Sequence, residues 1–192
     1  MSEPDRAAQY RAAAPGLSRV RELAAALCCL CAFGGVPALA ENANLPGVYT
    51  NDRQTGDGIA AAIDAAVAKM NFITRPVARS RLKKTNAPHR RVAIETGVQE
   101  ITVAFDANAP VRMPADGRTA KWTRADGEVF DVSAQWAGDR LVQTFKAEDG
   151  QRTNTFVLGP DGRALSVQVE VTSPQLPAPV RYELAFEREA GH

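Results

Sequence analysis

From Arg91 to Glu187 the chain alternates apolar and polar residues with a period of two, and turn-forming residues interrupt the pattern about every 8 to 12 positions. No other feature restricts the possible folds so strongly. In EVFDVSAQW (Glu128 to Trp136), Phe130, Val132, Ala134 and Trp136 alternate with Asp131, Ser133 and Gln135. In ALSVQVEVT (Ala164 to Thr172), Leu165, Val167, Val169 and Val171 alternate with Ser166, Gln168, Glu170 and Thr172. A period of two sends successive side chains to opposite faces, so each segment is a strand with one dry and one wet side. The other segments are VAIET (Val92 to Thr96), EITVAF (Glu100 to Phe105), TAKWTR (Thr119 to Arg124), RLVQTFKA (Arg140 to Ala147), RTNTFVL (Arg152 to Leu158) and RYELAFE (Arg181 to Glu187). Asp126-Gly127, Asp149-Gly150 and Asp161-Gly162 supply residues that tolerate the positive φ of tight hairpins. Strands adjacent in sequence are then adjacent in space.

One helix precedes this meander. Asp57 to Asn71, DGIAAAIDAAVAKMN, sets Ile59, Ile63, Ala66 and Met70 on one stripe, is rich in alanine, and can be capped by Asp57. Its apolar stripe must lie on the sheet. The predicted fold is mainly β, α+β by content. An N-terminal helix packs on an approximately eight-stranded antiparallel meander that forms a strongly curved sheet or barrel. Between helix and strands, residues 73 to 91 form a basic connector with no acidic residue from Glu95 back to Asp64, and Pro76 and Pro88 argue against regular structure through it. Residues 41 to 56 are polar and turn-forming, as in a loose chain end.

The N-terminal 40 residues have a different character. Arg19 and Arg21 precede an apolar run from Leu23 to Phe33, followed by Gly34, Gly35, Pro37 and then Ala38-Leu39-Ala40. That order describes a secretory signal peptide cut after Ala40, with a retained membrane anchor as the alternative. All three cysteines, Cys28, Cys29 and Cys31, lie in this run, so the mature chain has no thiol site and needs no disulfide. The leader holds four of the 23 basic and three of the 22 acidic side chains, which leaves the remainder without net charge. A global electrostatic argument for nucleic acid or an acidic substrate is therefore absent. The expected location is periplasmic or secreted, as one domain from residue 57 to the end.

Most catalytic chemistries lack their ingredients. Only His89 and His192 could serve as an imidazole base, and no serine lies in a G-x-S-x-G elbow. The Asp-Gly turns do not follow the calcium-loop pattern, and phosphate-cradling glycine loops are missing. No cofactor, metal or catalytic residue is assigned.

Two groups of residues remain as candidates. Gln143 shares the apolar face of Leu141 and Phe145, and Arg152 and Asn154 share that of Phe156 and Leu158. Polar groups on a concave apolar face orient ligands. With Trp136 they form the candidate ligand-binding set. The second group, Arg79, Arg81, Lys83 and Lys84, is a candidate contact with an anionic surface. Nucleic acid is disfavoured as that surface, because the connector has no interleaved aromatic residues beyond Phe72 at its edge.

In strand number the architecture resembles lipocalin and fatty-acid-binding barrels, and also the half-open barrels with helical covers of periplasmic lipoprotein carriers. The lipocalin G-x-W signature is missing, since Ala120-Lys121 precede Trp122 and Ala134-Gln135 precede Trp136. The expected function is non-enzymatic binding of a small lipophilic or amphipathic ligand. The alternative is an envelope module that meets an anionic partner through residues 75 to 91.

Overall fold

The computed structural model describes residues 44–51 and 56–190, all within one unit, Pro37–His192. The leader assigned to residues 1 to 40 lies outside the described residues. Among those residues the elements run β1 (Gly47–Thr50), α1 (Gly56–Val67), α2 (Arg75–Thr85), β2 (Arg91–Thr96), β3 (Glu100–Phe105), β4 (Val111–Pro114), β5 (Ala120–Thr123), β6 (Val129–Ala137), β7 (Arg140–Lys146), β8 (Gln151–Leu158), β9 (Ala164–Thr172) and β10 (Val180–Arg188). The strands form one antiparallel sheet in the order β4-β3-β2-β1-β10-β9-β8-β7-β6-β5. Since β1 pairs with both β2 and β10, the sheet curls into a nearly closed barrel whose two free edges, β4 and β5, face each other without a ladder.

The expected curved meander is present, with two strands more than the alternation indicated. β1 falls in the segment read as a loose end, and β4 in the loop after Phe105; both are short and stand beside prolines, Pro46 before β1 and Pro110 and Pro114 at the two ends of β4, which read as loop. A larger correction concerns the basic connector, much of which is the helix α2. Pro76 sits in its first turn, where a missing N–H breaks no helical bond. Lys83 and Lys84 lie in the last turn, where cations favour the helix dipole. Asn86 caps the end, its backbone N–H and its side-chain amide both donating to Leu82 O at 2.9 Å. α1 is shorter than the alanine-rich pattern suggested, ending at Val67.

The alternating residues point as the pattern required. Val132, Ala134, Leu141, Phe156, Leu165, Val167, Val169, Val180, Leu184 and Phe186 face inward and are buried, and Ile59, Ile63, Ala66 and Val67 carry α1 onto this core. Each large apolar side chain so buried contributes roughly 1.5–3 kcal/mol. α2 buries no residue fully; only Leu82, partly covered, packs on the core.

Candidate functional site

Register places the inward residues of β6 to β10 in layers. One layer runs Val132, Phe145, Arg152, Val171, Val180; the next runs Ala134, Gln143, Asn154, Val169, Tyr182; a third runs Trp136, Leu141, Phe156, Val167, Leu184. Arg152 therefore lies one layer from Gln143 and Asn154 and two from Trp136. The structure brings Arg152, Asn154 and Gln143 together in one hydrogen-bonded chain, while Trp136 lies two layers from Arg152 on the same inner face.

The chain of bonds starts at the helical cover. Arg152 Nη1 lies 3.4 Å from both Thr85 O and Asn86 Oδ1, and Arg152 Nε donates to Asn154 Oδ1 at 2.9 Å. Asn154 Nδ2 donates to Gln143 Oε1 at 2.9 Å, and Gln143 Nε2 reaches Met113 Sδ, from β4, at 3.5 Å. Tyr182 Oη donates to Asn86 Oδ1 at 3.0 Å. Burial pushes the Tyr182 hydroxyl above its usual range, and the Arg152 guanidinium pulls it only part of the way back. At neutral pH it is a proton donor.

Burial separates two parts of this network. Gln143 and Asn154 are 0% and 1% exposed, and their amides are satisfied by each other through one bond and by Arg152 and Met113 at the two ends. Arg152, Tyr182 and Phe145 are only half-buried. Beside Phe145 stand Trp122 and Phe130, also half-buried, in an aromatic cluster with ring centroids 5.6 to 6.2 Å apart. Arg152 is thus paired in register with Phe145 of this cluster, and Asn86 of the helical cover touches the guanidinium.

Every hydrogen-bond partner of the Arg152 side chain among the described residues is neutral. That distinguishes it from Arg79, Arg112, Arg118, Arg124 and Arg181, each of which pairs with a carboxylate. A partly desolvated guanidinium with free donor capacity is suited to take a carboxylate, sulfonate or phosphate in a bidentate bond. Sequence reasoning missed two members of this group. Tyr182 left a signal, a polar-tipped aromatic on the face of Val180, Leu184 and Phe186; Asn86, next to a Pro-containing stretch, left none.

The anionic-surface candidates lie on α2. Arg79 pairs with Asp64 of α1 at 2.8 Å, while Arg81, Lys83 and Lys84 are exposed and have no acidic partner among the described residues. A shallow depression of about 350 Å³, open to solvent, is lined by Arg75, Pro76, Arg79, Ser80 and Lys83. Among the described residues no three His, Cys, Asp or Glu side chains gather as a metal site would require.

No protein-family model matches the chain, and no curated protein matches it. Solved structures do. A secretary abundant heat soluble protein from Ramazzottius varieornatus superposes with a TM-score of 0.51 at 9% identity, covering 76% of this chain and 96% of its own. Human cRBP IV gives 0.44 at 19% identity over 75% of this chain and 97% of its own. Fatty-acid-binding protein 1 of Echinococcus granulosus gives 0.47 at 9% identity over 77% and 98%. At these identities the likeness is one of fold: the described residues form a ten-stranded, nearly closed antiparallel barrel with two helices between its first and second strands.

Proposed function

We propose that this protein is an exported, non-enzymatic barrel that binds a small amphipathic ligand with an anionic head. The head is held by Arg152 together with Tyr182 and Asn86, and the apolar part lies against Phe145, Trp122 and Phe130. One observation carries this reading: a half-buried guanidinium whose described partners are all neutral stands in register with Phe145, whose ring packs on Trp122 and Phe130. Leaving such a charge without a counterion is costly, and a ligand anion offsets that cost. Gln143 and Asn154 lie too deep to meet solvent. Their part is to orient Arg152 from below, through its Nε bond to Asn154, with Trp136 forming the apolar floor. Export rests on the leader composition of residues 1 to 40.

Titration of the protein with the lipophilic anion anilinonaphthalene sulfonate, followed by displacement with oleate and with methyl oleate, tests the reading. Saturable binding is expected, oleate displacing the dye and its neutral ester doing so at least about tenfold less well, as loss of a charge-assisted bond implies. Arg152→Gln should erase the difference between acid and ester. Equal potency of acid and ester on the unmodified protein, or no saturable binding, would overturn it.

A second reading, an envelope module that meets an anionic partner through residues 75 to 91, is favoured by Arg81, Lys83 and Lys84 of α2, exposed and without an acidic partner among the described residues.

A further inference from the structure

The corner between α1 and α2 exposes side chains that a water-facing turn has no use for. Phe72 is 78% exposed, Ile73 67% and Val77 61%. The corner is built rather than slack. Asn71 Oδ1 accepts from the Ile73 N–H at 2.9 Å, Asn71 O accepts from the Arg75 N–H at 2.9 Å, and Arg75 Nη2 donates to Met70 O at 2.8 Å. Arg79 then ties α2 back to Asp64 of α1. Val77, Arg81 and Lys84 follow at i, i+4 and i+7, so one stripe of α2 runs from the apolar corner into cations. Lys69 and Lys83 add exposed positive charge on either side, and no acidic residue occurs between Asp64 and Glu95.

We infer that this corner docks on an anionic lipid surface, Phe72, Ile73 and Val77 entering the headgroup–acyl boundary while Arg81, Lys83 and Lys84 meet lipid phosphates. The inference rests on the anionic-partner reading and names that partner as a bilayer. Charge alone fits a polysaccharide or nucleic acid equally well. Three exposed apolar side chains at the tip of the same stripe require an apolar phase, which only the bilayer provides. The contact is interfacial, since no helix among the described residues is long and apolar enough to cross a membrane.

The test uses the full chain, so that any contribution of the leader is common to every variant. Co-sedimentation is measured with vesicles of phosphatidylcholine containing about a quarter phosphatidylglycerol and with pure phosphatidylcholine. Binding should favour the anionic vesicles, weaken about fivefold for each cation removed in the series Arg81→Gln, Lys83→Gln, Lys84→Gln, and weaken about tenfold or more in the triple variant Phe72→Ser, Ile73→Ser, Val77→Ser. All six positions are exposed, and unchanged circular dichroism verifies folding. A Phe72→Trp reporter should shift to the blue on anionic vesicles and be quenched by brominated acyl chains. Salt-sensitive binding with an unshifted reporter and an unaffected triple-serine variant would overturn insertion while leaving the charged-surface reading in place. Indifference to both substitution series would overturn the two together. Equally tight, serine-insensitive binding to a soluble polyanion such as heparin would assign the surface to that class instead.

Discussion

Asp106 shows how much one side chain can hold. It takes a positive φ of 52°, and its carboxylate closes the joint between the helical cover and β2, with Oδ1 accepting from the Arg90 N–H at 2.8 Å and the Arg91 N–H at 3.0 Å. Oδ2 lies 2.7 Å from His89 Nδ1, and the His89 ring packs on Phe105 with centroids 4.6 Å apart. Burial alone would raise the Asp106 carboxyl, but the His89 bond and the two backbone N–H groups outweigh it and hold the carboxyl below its usual range. A group depressed in the folded state stabilises above its unfolded pKa and loses that contribution as pH falls through the folded value. Asp106→Asn keeps a residue that tolerates positive φ and removes the charge. Urea unfolding should show the variant about 1 kcal/mol less stable than the parent at neutral pH, the modest figure reflecting the carboxylate's partial exposure. The gap should begin to close near about pH 4, the ordinary carboxylate pKa, and vanish only once the pH has fallen through the lower folded value, where both side chains are neutral.

Among the elements, α2 is lightly held. It buries no residue fully, its N-cap Thr74 makes no side-chain cap bond, and it is anchored through Leu82, the Arg79–Asp64 pair and Asn86. β9, by contrast, is paired along its length on both sides and buries Leu165, Val167 and Val169. Local opening follows such differences. Hydrogen exchange should find α2 amides opening at least about 2 kcal/mol more readily than those of β9, and Asn86→Ala should widen the gap by removing the side-chain bonds to Leu82, Arg152 and Tyr182 together. Equal protection of the two elements would refute this.

Across the whole molecule, closure depends on β1, four residues that join the β2–β4 arc to the β5–β10 arc. Arg188 clamps that junction. Its Nη1 donates to Pro46 O at 2.8 Å and its Nε to Gly162 O at 3.0 Å; Nη2 meets Asn44 O and Tyr49 Oη, and the guanidinium lies 4.7 Å from the Tyr49 ring centroid. Gly47 leaves room for it, since a Cβ there would lie 2.3 Å from Nη1, and its φ of +156° would strain any other residue. Arg188→Met should cost about 2–4 kcal/mol in denaturant unfolding, because several carbonyls lose their donor at once. Gly47→Ala should destabilise in the same direction, and the double variant by less than the sum, as expected of two residues in contact.

Local periodicity was enough to identify the meander, its turns and the inward face of each long strand, because a period of two is written into neighbouring residues and needs no partner to be seen. It also placed Gln143, Asn154 and Arg152 on that face. Two of the three Asp-Gly pairs, at Gly127 and Gly162, do take the positive φ their chemistry invites. β1 and β4 escaped because the prolines beside them, Pro46, Pro110 and Pro114, read as loop, and Pro76 concealed α2 because a proline reads alike in a loop and in the first turn of a helix. Only the tertiary structure decided that Arg152 meets Asn86 and Asn86 meets Tyr182, residues 66 and 96 positions apart, and that the amides below are sealed while the guanidinium is not. Those contacts depend on the register of ten strands and on where a helix end comes to rest, quantities set by closing the barrel rather than by any stretch of sequence.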